Sequence, residues 1–128
     1  MKQSVTLTIT SLLSILLVTL HLTHDIVHKI SPGKLSNLNA IIVLAVWAYA
    51  ALMLAEKRSG YIIMLVMSVL ASGVPVLHMS GASGMTAGIK SVGAFFFAWT
   101  LYALGVTAVL SVILSARGLW SLRRRQAT

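Results

Sequence analysis

Cysteine is absent from the 128 residues, which excludes thiol–disulfide chemistry, thiolate-held metals and iron–sulfur clusters. Carboxylates are almost absent too: Asp25 and Glu56 are the only two acids, and any metal would have to use His, Asp, Met or backbone. Charged residues of both signs make up 9% of the chain, against about a quarter in soluble proteins. Proline occurs twice, at 32 and 75, so little interrupts the helices. What fills the chain instead is apolar: 58% hydrophobic residues and a mean hydropathy of +0.93 place it in a membrane.

Four apolar runs, at 4–27, 38–55, 61–79 and 89–116, each supply the roughly 17 to 25 residues needed to cross ~30 Å of hydrocarbon. The expected fold is therefore an all-α integral membrane protein, one four-transmembrane-helix bundle over residues 1–128. Ser31-Pro32-Gly33-Lys34, Glu56-Lys57-Arg58-Ser59-Gly60 and the glycine-rich stretch 81–88 carry turn chemistry between the runs. Four spans with short connections use nearly all of the chain and leave no room for an extramembranous catalytic module. Met1-Lys2-Gln3 followed by an apolar run has the look of a signal peptide, yet no small-x-small cleavage pattern follows, so the run reads as a retained helix.

The net charge of +8 would suggest nucleic acid in a soluble protein. Here the basic residues flank apolar runs, where they orient helices and meet anionic lipid, and nucleic-acid binding is not expected. Lys2, Lys57, Arg58, Arg117, Arg123, Arg124 and Arg125 fall on one side, and only Lys29, Lys34 and Lys90 on the other. The positive-inside rule then predicts N-in/C-in topology in a cell inner (cytoplasmic-type) membrane, with Tyr61 and Trp120 as interfacial anchors on the inner side.

All four histidines and one of the two acids gather in two places. His21, His24, Asp25 and His28 stand at i, i+3, i+4 and i+7 of the first helix, within about 100° of its circumference, so they form one polar face. His78 closes the third helix, which runs parallel to the first. Counted from the inner basic anchors, His21 is 19 residues beyond Lys2 and His78 is 20 beyond Arg58, which puts both at the outer boundary. Their depths should agree to about 1.5 Å. Asp25 lies near the carboxyl end of its helix, where the macrodipole disfavours a negative charge; a protonated histidine, Lys29 or a metal would compensate it.

Imidazoles and a carboxylate one turn apart suit Zn, Cu or Fe, so the metal candidates are His21, His24, Asp25, His28 and His78. Met79 and Met85 nearby keep Cu(I) open. Haem held between His78 and His21 or His24, with Lys29, Lys34 or Lys90 near its propionates, is a variant of the same reading. Two other classes stand beside it. One is a small proton or ion transporter relaying through Asp25 and the histidines, for which the rest of the bundle offers only hydroxyls such as Thr8, Ser11, Ser14, Ser68 and Ser72. The other is a non-catalytic accessory subunit of a membrane complex. The same histidines simply solvated at the boundary, with Asp25 on Lys29, are the plainest alternative.

Ala103, Thr107, Ser111 and Ser115 recur every four residues in the fourth run and predict a close helix contact, either an internal seam or a homo-oligomer or complex interface. Pro75, with Gly73 before it, should bend the third helix one turn before His78. Gly81-Ala82-Ser83-Gly84 resembles the GxSG pattern of rhomboid-type membrane proteases over four residues, without the six-helix core such a protease needs. It reads as a turn, and the sequence leans away from an enzyme.

Overall fold

A computed structural model of the chain describes residues 2–28, 37–79 and 92–127, with side chains for all of these but 25, 28, 37, 38, 78 and 79. Among the described residues there are four helices and no strand: α1 (Gln3–His28), α2 (Asn37–Met53), α3 (Arg58–Met79) and α4 (Val92–Gln126). α1, α3 and α4 are each long and apolar enough to cross a membrane. The 17 residues of α2 rise about 25 Å. The first and third turn segments expected from sequence lie outside the described residues.

The distribution of side chains is that of a protein solvated by lipid. Ser11, Ser14, Ser68, Ser111 and Ser115 are completely buried, whereas Leu16, Val66, Leu70, Phe95, Trp99 and Val106 all stand more than half exposed. Water would reverse this arrangement; hydrocarbon favours it, because apolar side chains gain nothing by leaving lipid while hydroxyls gain by meeting one another.

The helices run alternately up and down, and side chains fix their register. Along α1 and α4, Thr10 meets Ser111 and Ser14 meets Thr107, so each step forward on α1 is a step back on α4. Thr8 of α1 donates to the Ala51 carbonyl of α2 (3.1 Å). On α3 and α4, Tyr61 lies against Gly118 and Pro75 against Gly105. α3 continues through Pro75 to Met79, the proline being buried with its ring toward Gly105.

Two element boundaries differ from the sequence expectation. The second turn is tighter than Glu56–Gly60: residues 54–57 make it, Lys57 N–H donates to the Leu54 carbonyl (2.9 Å), and α3 already begins at Arg58. Gly60 is helical and passes so close to the Leu54 carbonyl that a Cβ there would collide with it. α4 runs on past position 116 to Gln126, because the apolar run ends at Arg117 but Leu119–Gln126 hold neither proline nor glycine to stop the helix. The beginning of α1, the turn 54–57 and the end of α4 thus share one end of the bundle. There Gln3 Nε2 donates to the Leu114 carbonyl (2.9 Å) and Ser4 Oγ to Glu56 Oε1 (3.0 Å).

Candidate functional site

The two histidines whose side chains are described turn into the bundle. His21 is 3% exposed despite lying about two turns from the end of α1. Its ring stands 4.9 Å from the Phe97 ring of α4, tilted by 33°, and the His24 ring stands 4.7 Å from the same ring, tilted by 38°. One aromatic residue of α4 therefore meets both described imidazoles of α1.

The register shows what else stands at this level. Extending the Thr10–Ser111 and Ser14–Thr107 pairs along α1 sets His21 opposite position 100 of α4, the buried Thr100. Extending the Tyr61–Gly118 and Pro75–Gly105 contacts along α3 sets position 78 opposite position 102. Positions 21 and 78 thus differ by two residues of α4, about 3 Å along its axis. Among the described residues no three His, Asp or Glu side chains lie together; Asp25, His28 and His78 belong to helices, but their side chains lie outside the described set.

A second polar group occupies the middle of the bundle. Ser111 donates to Thr10 Oγ1 (2.9 Å), which donates to the Leu7 carbonyl (3.1 Å); Ser14 donates to Thr107 Oγ1 (3.0 Å), which donates to the Leu104 carbonyl (3.2 Å). By the same register Ser11, Trp47 and Ser68 lie on this layer, so all four helices contribute a polar residue to it. The Ser11 and Ser68 hydroxyls and the Trp47 indole N–H are buried and have no hydrogen-bond partner among the described residues. Of the four-residue stripe on α4, Ser111 and Ser115 are wholly buried and Thr107 faces Ser14, so this part of the stripe packs inside the chain.

Between the hydroxyl layer and the histidines lies an apolar interval. Ser14 and His21 are seven residues apart, about 10 Å. The inward residues there are Leu17, Val18, Leu101 and Leu104, the last two fully buried.

Sequence reasoning named the histidines but missed Phe97, which lies in the apolar run Phe95-Phe96-Phe97 and is marked only by the antiparallel register. The chain matches no protein-family model, no curated protein and no solved structure. The geometry of its own residues therefore carries the functional reading.

Proposed function

We propose that this is a four-span protein of a cytoplasmic-type membrane, with both ends inside, that binds a divalent transition metal at its outer face. The ligands are drawn from His21, His24, Asp25 and His28 on α1 and His78 on α3. The observation that supports this most is the inward turn of His21 and His24 onto Phe97, at a level that the α4 register shares with position 78. An intramembrane cluster of ionisable groups is by default a functional site.

Imidazole and carboxylate together select Zn²⁺, Cu²⁺ or Fe²⁺ over Ca²⁺ or Mg²⁺. One α-helix supplies two ligands to one ion when they are four residues apart, as His21 with Asp25 or His24 with His28, and His78 completes the set from across the bundle. A metal also answers the Asp25 charge at a helix carboxyl end. The apolar interval of Leu17, Val18, Leu101 and Leu104 favours a closed site over a proton path, since a path would have to cross it.

Elemental analysis of the purified protein tests the reading. Near-stoichiometric zinc, copper or iron is expected, lost in the His24→Ala/His78→Ala double variant. A Soret band would replace the bare ion by haem at the same residues. Metal-free protein that binds none of the three ions, or a double variant that keeps its metal, overturns the proposal.

A further inference from the structure

At the basic end, outside the site already discussed, α4 carries Arg117, Trp120, Ser121 and Arg124 at i, i+3, i+4 and i+7, which places them on one face. With Gln3 of α1 they line a groove. The Arg124 guanidinium lies over the Trp120 indole, 4.7 Å from its centroid, a cation–π contact that holds it beside the groove. Trp120 also forms a wall of a second groove between α3 and α4, lined besides by Leu65, Ala116, Leu119 and Arg123. The residues from Phe97 to Ala116 carry no charge and rise about 30 Å, which puts Arg117 at the edge of the hydrocarbon, and the α4 residues that line both grooves begin at that level.

We infer that these two grooves bind one acidic phospholipid, its phosphate held by Arg117, Arg124 and Ser121 and one acyl chain lying along Leu65, Ala116 and Leu119. The arrangement fits an amphiphile. Two guanidiniums and a hydroxyl offer charge-assisted donors to a phosphate, the indole sits at the level where aromatic belts form, and the adjoining groove is apolar and reaches toward the bilayer. A zwitterionic headgroup would bring its own cation into a site that already holds two. A free phosphate would leave the apolar groove unused. The nearest acid described at this end, Glu56, is engaged by Ser4 and lines a different pocket, with Lys2, Tyr61 and Arg125.

Trp120 is itself the reporter. In a Trp99→Phe background the remaining indoles are Trp120, 62% exposed, and Trp47, 2% exposed, so quenching by brominated acyl chains reads lipid at Trp120. Reconstituted into mixed bilayers, the full chain is expected to be quenched preferentially by brominated phosphatidylglycerol over brominated phosphatidylcholine. The Arg117→Gln/Arg124→Gln double variant should lower that preference by about fivefold or more, the weight of at least one basic residue at an anionic surface. Lys57→Gln/Arg58→Gln removes the same charge from the same end of the bundle but not from the groove, and should change the preference by less than about twofold. Equal quenching by the two lipids, or equal losses in the two double variants, overturns the site and leaves only diffuse attraction. Loss of the preference in excess inorganic phosphate overturns the lipid as ligand in favour of the free anion.

Discussion

Gly118 offers a perturbation whose sign can be worked out from the structure. A Cβ at this position would run into three ring atoms of Tyr61, a residue 7% exposed and packed where α3 begins. Gly118→Ala therefore has two opposed effects. Alanine is favoured over glycine within a helix by up to about 1 kcal/mol, while forcing a methyl group into a filled contact costs about 1–3 kcal/mol. The net expectation is destabilisation of about 1 kcal/mol in the otherwise unchanged chain. In a Tyr61→Ala background the obstacle is gone, only the helix preference remains, and the same substitution should stabilise by up to about 1 kcal/mol. The coupling between the two sites is then about 2 kcal/mol, roughly a thirtyfold change in the unfolding equilibrium, well above the error of a double-mutant cycle. Reversible unfolding in mixed micelles of dodecyl maltoside and dodecyl sulfate, followed by circular dichroism, measures all four variants. The same sign in both backgrounds would refute the close approach of Gly118 to Tyr61, and with it the α3–α4 register.

Gly105 makes the contrasting case: a Cβ there meets Pro75 Cγ at an ordinary 3.4 Å, so Gly105→Ala should be neutral or stabilising by up to about 1 kcal/mol in the same assay. Trp47→Phe removes a buried N–H that has no partner among the described residues and should leave stability unchanged or raise it; a loss above about 2 kcal/mol would show that the N–H is engaged. A Ser14→Ala, Thr107→Val cycle should report a coupling near 0.6 kcal/mol, the usual size for an interhelical hydrogen bond in a bilayer-solvated bundle, and zero coupling would contradict the pairing across α1 and α4.

The helices of this bundle were legible in sequence because hydrocarbon imposes a length, and runs of that length bounded by turn residues are hard to misplace. α1 and α3 begin and end within three residues of the expected spans. α4 does not, because a span ends where charge begins whereas a helix ends where its hydrogen bonds do, and Leu119–Gln126 hold neither proline nor glycine to stop it. The second turn was expected at Glu56–Gly60 and stands at 54–57 for a different reason: Ser59 and Gly60 are common turn residues, and only the close pass of Leu54 explains a glycine inside the first turn of α3. At the candidate site, the histidine face of α1 was legible from its i, i+3, i+4, i+7 spacing. Phe97 was not, since a phenylalanine in an apolar run carries no mark of what it faces. The hydroxyl layer lay between these cases. Ser111 and Thr107 belong to a visible stripe, yet their partners Thr10 and Ser14 on α1 emerge only when the two helices are set antiparallel.

The decisive measurement is electron paramagnetic resonance of the Cu²⁺-loaded protein, compared with its His78→Ala variant. A site bridging α1 and α3 predicts nitrogen hyperfine structure from two or more imidazoles, with one nitrogen lost and the copper more weakly held when His78 is removed. A spectrum identical in the two proteins would show that α3 contributes nothing, and the metal centre between the helices would have to be abandoned.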